Sequence, residues 1–488
     1  MKNKSIKKNY IYNLILTTLN ILFPLIISPY ISKVLGPENI GKINYATSIM
    51  NWFILFASFG IPRYGVREIA RNRRDKKKLS NCFWNLIFIQ AILSFVSLII
   101  YLIIICCFKE FRNDFLLYII MIAMLILNIF SIDWFYQGVE EYGYITIRNI
   151  IVKSISLVSI FLMIKNKDDF ILYALINIFS LGFNNIFNYL HVKKYIFKKN
   201  YCFQILYYIN ELKVYFFTTL IVSLYTQFDQ VIIGAYSVTD LAYYMRSKMV
   251  LGVGMSIVNS IITVFIPRTT FLIEHNYEEY KAVVCESINY IYLLAFPCFI
   301  GLFLLAKPIM LFLGGVEFLP ASFSLKITSI LVIITSIGTW QINQILLAYR
   351  KERYTFIIQL ICAIISIFLN IIITPKYTYI GASIIWVITE FILVFLEGTA
   401  IKFLCKDIKI KYVNLEMLKY LFSSLVMGVG VGFITILNLN SFLKVFLATF
   451  TGVLIYIIML ILLRDKLALE TIKPIILKVK GKCQRFDK

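Results

Sequence analysis

Charge is scarce in this chain. Only 15% of its 488 residues are Asp, Glu, Lys or Arg, where soluble domains carry ~25%. With 60% of residues hydrophobic and a mean hydropathy of +0.81, a soluble globular protein is excluded, because one core cannot grow past ~300 residues without splitting into polar-coated domains. Histidine is nearly absent: His191 and His275 stand alone and form no metal-ligand cluster. The nine cysteines show no C-x-x-C spacing, and Cys106-Cys107 are merely adjacent, so neither a zinc site nor a dithiol redox motif is expected. No G-x-x-x-x-G-K-[ST] loop is present, which argues against an ATP-driven motor. No cofactor or metal is expected. A cleavable signal is not expected either, because the basic start runs into too long an apolar segment without an A-x-A-like end.

Long apolar runs are what the chain has instead. A helix needs ~20 mainly apolar residues to cross the hydrocarbon. Spans are expected near 10–32, 42–61, 83–107, 115–137, 145–164 and 170–190, then near 214–236, 245–267, 284–305, 323–347, 355–374 and 379–400, with a final pair near 418–437 and 443–463. The expected fold is therefore an all-α polytopic membrane protein of about 14 transmembrane helices. Residues 1–199 would form one six-helix lobe and 200–405 another, and 406–488 would hold the last pair and a basic tail. Short cytoplasmic loops carry an excess of Lys and Arg. With both termini inside, the inner segments hold 36 of the 49 cations, eight of them between Arg63 and Lys78. The formal charge of +23 then needs no nucleic acid, since basic loops suit an anionic leaflet.

Two segments point to an internal repeat. GPENIGKINYA at 36–46 lies on GAYSVTDLAYY at 234–244, pairing Gly36 with Gly234 and Tyr45 with Tyr243. The tripeptide Ile-Pro-Arg recurs at 61–63 and 266–268, each time at the end of an apolar run. It is expected to close both helices, because Pro disfavours helix in the residue before it and Arg suits the headgroups. Six spans per copy return the chain to its starting face, so both copies share one orientation, about an axis along the membrane normal.

Polar stripes mark faces turned away from lipid. Asn13, Thr17, Asn20, Pro24 and Ser28 line the first span, and Asn44, Ser48, Asn51 and Ser58 the second. Thr219, Ser223, Gln227 and Gln230 follow on the seventh, and Tyr244, Lys248, Gly252, Ser256 and Ser260 on the eighth. Such residues also glue packed helices together; their occurrence in repeat-related pairs favours a wet cavity. Charges within spans cost ~2.5–3.5 kcal/mol at a helix centre, so they face a cavity or a partner. Lys153 and Glu390 lie mid-span; Asp229, Arg246, Lys248 and Lys326 lie toward outer ends. Lys153, Arg246, Lys248 and Lys326 suit an anionic substrate, although a lysine can also snorkel. Asp229 and Glu390 are candidates for coupling, and Asp229 could also pair with Arg246 or Lys248. MGVGVGF, with Gly428, Gly430 and Gly432, lies within a span and reads as close helix packing, not a nucleotide loop.

Three longer segments, FGIPRYGVREIA (59–70), SIDWFYQGVEEYGYITIRN (131–149) and QFDQVIIGAYS (227–237), together with the 6 + 6 + 2 span pattern, resemble the Wzx-type polysaccharide flippases. These belong to the multidrug/oligosaccharidyl-lipid/polysaccharide exporter superfamily. The resemblance implies a V-shaped exporter, not an enzyme, that moves undecaprenyl-diphosphate-linked oligosaccharide to the outer leaflet of the cell membrane by alternating access. On motif position, Asp133, Trp134, Gly138, Glu140, Arg148, Arg63, Arg67, Glu68 and Asp229 match family-typical residues. Asp133, Glu140 and Arg148 are read as a cytoplasmic gate network rather than as substrate contacts. Implied partners are the lipid-linked oligosaccharide, the bilayer, and a polysaccharide polymerase and glycosyltransferases, with the chain a monomer. Two rivals remain: a drug or cation exporter of the same superfamily, which would want acids in its cavity, and a membrane glycosyltransferase or polymerase, which would want a large external loop.

Overall fold

The computed structural model describes residues 6–197, 202–408, 410–467 and 469. The expected charges at Lys2 and Lys4, and most of the basic tail, lie outside them. Every regular element among the described residues is helical. The chain divides into two compact units, Met1–Ala242 and Tyr243–Lys488.

The first unit opens with α1 (Ile6–Ser58), broken at Gly36, where φ is 73°. At ~1.5 Å per residue its 53 residues would span ~80 Å, far beyond the ~30 Å of hydrocarbon, and the left-handed glycine followed by Pro37 divides it into two arms. A second left-handed glycine, Gly60 with φ 78°, precedes α2 (Ile61–Asn72). A Cβ on Gly60 would stand 2.7 Å from the Phe216 backbone nitrogen, so both conformation and space require glycine. Asp75 caps α3 (Lys76–Cys107), accepting from the Lys77 and Lys78 amides. Then come α4 (Phe115–Asn128), the short α5 (Asp133–Gly138), α6 (Tyr142–Met163), α7 (Phe170–Val192) and α8 (Ile205–Tyr236).

The amphipathic α2 buries Ile61, Tyr64, Gly65 and Ile69, residues spaced for one helix face. Gly65 meets the Trp134 ring, and Gly138 meets Ile69. The absence of side chains at both glycines lets α2 and α5 approach closely. Phe83, Leu86, Trp134, Phe135 and Tyr136 continue this core. The two segments aligned as repeat copies touch: Gly41 faces the Val238 carbonyl, and Gly234 lies against the Tyr45 ring.

The boundary between units falls in the first turns of α9 (Val238–His275). There follow α10 (Tyr277–Gly314), α11 (Ala321–Thr328) and α12 (Leu331–Trp340). A single π-helical stretch, Gln341–Leu346, then leads to α13 (Glu352–Leu404), itself broken at Thr378 with φ 44°. The last helices are α14 (Leu415–Ile436) and α15 (Ser441–Leu462). Gly428 packs on Ile300 and Gly430 on Ile455, the close helix approach expected of MGVGVGF. Ile436, Phe433 and Leu462 point outward, 81%, 69% and 69% exposed, as lipid-facing side chains do.

Eleven helices among the described residues are long and apolar enough to cross a membrane, or twelve if α11 and α12 with its π-helical extension are one bent span. One of them takes in α1 with α2, and another is α13. All fourteen expected stretches are largely helical, but α1 and α13 each carry two of them across an interruption instead of a loop.

The Ile-Pro-Arg expectation fails in both places. Ile61-Pro62-Arg63 opens α2, where Pro at the first turn sacrifices no hydrogen bond; the preceding break belongs to Phe59 and Gly60, both at positive φ. Pro267 sits inside α9, which runs on to His275. His191 and His275 are likewise helical, within the last turns of α7 and α9.

Candidate functional site

Two cations on α6 have opposite surroundings. Arg148 is buried, 5% exposed, and each of its guanidinium nitrogens has an acceptor. Its Nε donates to Asn184 Oδ1 at 2.9 Å, one terminal nitrogen donates to Asn188, and the other meets Asp133 Oδ1 at 3.1 Å. Asn188 in turn donates to Asp133 at 2.6 Å, and Tyr136 donates to the Asn188 carbonyl. Tyr144 lies beneath the guanidinium and stacks on His191. A planar fork suits such multidentate pairing, and the network ties α5, α6 and α7 together.

Glu140 is not part of this pair. It bonds Arg73, just beyond α2, and only the Asp133–Arg148 half of the expected gate network forms. The reason lies in the backbone: Glu140 adopts φ 62° at the turn between α5 and α6, within reach of Arg73. Beside it, Tyr195 donates to Glu141 Oε1 at 2.6 Å. Burial and that carboxylate hold the Tyr195 phenol well above its ordinary value. Arg63 is exposed, whereas Arg67 donates to the Tyr215 hydroxyl at 2.8 Å.

Lys153 lies 1.4 turns further along α6. Its Nζ donates to Asn20 Oδ1 at 2.5 Å and stands 5.3 Å from the Phe23 ring. An amide and a ring leave the charge uncancelled, and no carboxylate pairs with Lys153 among the described residues. Asn13, Thr17 and Asn20 form an exposed polar stripe on the first arm of α1, and Asn51 is exposed on the second. Asn44 is half-buried, Ser48 bonds Gln230 at 3.2 Å, Gln227 is half-buried and Ser223 buried. The α8 end of the stripe is thus partly helix packing. Asp229 is buried and accepts from the Gln230 amide.

In the second unit, Lys248 Nζ stands 4.6 Å from the Trp386 ring and 5.2 Å from that of Tyr244. The Trp386 indole donates to Glu390 Oε1 at 3.3 Å. The Arg246 guanidinium is buried 4.9 Å from the Phe318 ring, and Lys326 lies 5.7 Å from that of Phe303. Cations held on aromatic faces gain ~0.5–2 kcal/mol each.

Glu397 was not among the candidates, yet it is the most buried carboxylate of α13 at 0% exposure. The signal was present in the sequence: Glu390 and Glu397 are seven apart, hence on one helix face.

Comparison with known proteins completes the site. A family model described as "Polysaccharide biosynthesis protein" matches residues 6–272, more than half of the chain. The chain belongs to that family. The three segments that carry the resemblance to Wzx-type flippases all lie within the match. Among curated relatives of this polysaccharide biosynthesis protein, one of Escherichia coli (strain K12) named "Putative O-antigen transporter" is 26% identical over 34% of this chain and 40% of its own length. A Haloferax volcanii protein named "Probable low-salt glycan biosynthesis flippase Agl15" is 24% identical over 48% of this chain and 49% of its own. The matches thus span about half the length of these relatives. Among solved structures, lipid II flippase MurJ in an inward closed conformation overlays with a TM-score of 0.72 at 18% identity, covering 93% of this chain and 99% of that one. An inward-facing multidrug resistance MATE family transporter follows at 0.61 and 14%, covering 81% and 99%. At these identities the overlays show a shared transporter fold.

Proposed function

We propose that this member of the polysaccharide biosynthesis family is a flippase for lipid-linked oligosaccharide, not an enzyme. It would carry undecaprenyl-diphosphate-linked repeat units from the cytoplasmic to the outer leaflet by alternating access through a cationic central cavity. The observation that carries the reading is Lys153: a half-buried cation within a span, held by a neutral amide and a ring, is a receptor awaiting an anion. Arg246, Lys248 and Lys326, each against an aromatic ring, add cations of the second unit to this reading. A drug-cation exporter would want acids lining its cavity.

The localisation that goes with this reading is the cell membrane, with both termini cytoplasmic and fourteen crossings. A diphosphate carries about two negative charges. With the inside negative, its outward passage is favoured by roughly 4–5 kcal/mol per 100 mV if no cation accompanies it. Rocking of two lobes, driven by the potential, would then suffice without nucleotide hydrolysis. A polymerase and glycosyltransferases are the partners such a pathway needs.

The test is reconstitution. Proteoliposomes containing the protein should move a fluorescent polyprenyl-diphosphate oligosaccharide between leaflets, faster with an imposed potential and several-fold slower for Lys153→Ala, with Lys153→Arg intermediate. Movement of hydrophobic cations in place of the lipid-linked sugar would reject the assignment.

A further inference from the structure

Buried polar atoms without a partner are rare in folded proteins, and each calls for an explanation. Among the described residues there are twelve, and five belong to α12, the π-helical stretch and the second arm of α13. They are Ser336 Oγ, Gln341 Oε1, Gln344 Nε2 and both carboxyl oxygens of Glu397. Glu397 is 0% and Gln341 1% exposed.

The local geometry brings Glu397 and Gln341 together. Gly338 is the last glycine before the π-helical stretch, and a Cβ there would stand 3.6 Å from Glu397 Oε2. The carboxyl therefore faces a bare patch of α12. On the neighbouring residue, a Cβ on Gly398 would stand 3.2 Å from Gln341 Nε2 and 3.6 Å from the Tyr412 hydroxyl. Gln341 Nε2 donates to that hydroxyl at 2.9 Å. The π-helical stretch Gln341–Leu346 is anchored on its far side, where Tyr280 donates to the Gln344 carbonyl and Ser287 to Gln344 Oε1. Single π-turns concentrate at functional sites because they can migrate along a helix and re-aim side chains.

We propose that Glu397 is a proton-binding site of the second unit, occupied by one proton in this conformation and emptied when the π-turn at Gln341–Leu346 rearranges. An ionised carboxylate with no donor, full burial and no base beside it is not sustained in a protein interior. The ionisable groups within its electrostatic reach are Glu390 on its own helix, Cys362 on the first arm of α13 and Tyr412 beyond its end. None carries positive charge, and the α12 and π-helical residues 331–346 contain no ionisable side chain. Lys248 acts on Glu390, so the two acids of α13 are distinct: Glu390 faces a cation, and Glu397 faces none. Return of the π-turn to regular helix turns Gln341 by about 100° per residue shifted, which replaces the Tyr412 contact and gives the carboxylate a donor. One proton leaves the Glu397 oxygen for water as the charged form gains that hydrogen bond, and it returns in the reverse step.

The proton site stands independently of the flippase reading; only what it drives rests on that reading. Two measurements separate them. In nanodiscs at neutral pH, infrared spectra should contain a protonated carboxylic acid band that Glu397→Gln removes and Glu390→Gln leaves, and sodium should not displace it. A band absent from the wild type, unaffected by Glu397→Gln, or displaced by sodium overturns the proposal. In proteoliposomes at zero potential, a gradient of one pH unit should shift the steady-state leaflet distribution of the lipid-linked sugar by up to about tenfold. Glu397→Gln should abolish that shift while still moving substrate. A shift that persists in Glu397→Gln overturns the coupling, whereas failure of the wild type to move any lipid counts against the flippase reading and leaves the infrared result standing.

Discussion

Two cations on α6 are treated in opposite ways. At Arg148 each guanidinium nitrogen has an acceptor, one of them a carboxylate; at Lys153, 1.4 turns away, the charge meets an amide and a ring. A saturated network fixes one arrangement of helices, and its value lies in rigidity. An unsaturated charge within a span costs stability and persists where something else completes it. Polarity alone therefore does not mark function in a membrane interior. The unfilled bonding capacity does.

That contrast can be broken, starting at Arg148. Asp133→Ala leaves the Arg148 charge buried without its carboxylate. The loss should be about 2–3 kcal/mol, short of the ~3–5 for a fully buried pair because Asp133 is partly exposed. It should read as a lower melting midpoint in detergent, and an unchanged midpoint would show that Asn184 and Asn188 suffice. Next comes Gly65→Ala. Its Cβ would lie 2.5 Å from the Trp134 ring, adjacent to Asp133, so Trp134 must shift at about 1–2 kcal/mol. A neutral result would mean that α2 slides without cost.

Tyr195→Phe should cost about 1 kcal/mol, the worth of one hydrogen bond. The phenol is held above its ordinary value, so the bond's contribution is complete below the unfolded value near 10 and fades only as pH rises beyond it. The difference between wild type and variant should therefore be flat from about pH 6 to 9; a slope in that window would place the titration on Glu141 instead. The smallest stability effect belongs to the other cation of α6. Lys153→Ala should move the midpoint by no more than about 0.5 kcal/mol, while lipid-linked sugar transport falls several-fold. A destabilised Lys153→Ala with normal transport would reverse the contrast.

Much of this was legible in the sequence. Hydropathy located the helices because lipid exposure leaves long apolar faces, and a lone charge within a span was enough to single out Lys153. The break at Gly36 could be read from Gly-Pro. Its counterpart at Thr378 falls between the expected spans 355–374 and 379–400, three residues after Pro375, although no glycine marks it. Ile-Pro-Arg misled because proline serves a helix start as readily as an end, as Pro62 does, and is also tolerated within a span, as Pro267 is. Glu140 was grouped with Arg148 by proximity in sequence, but the turn at φ 62° sends it to Arg73. Glu397 lay too near the end of its span to stand out, and only tertiary packing makes it dry.

Thr378 also stores something that Gly36 does not. A β-branched residue at φ 44° is held in a region that its side chain resists, at a cost of order 1–3 kcal/mol. That energy is spring-like: it lowers the work needed to re-angle the two arms of α13 about their junction, one of which carries Trp386, Glu390 and Glu397. Replacing Thr378 with glycine would remove that cost and yield a sturdier protein for crystallisation.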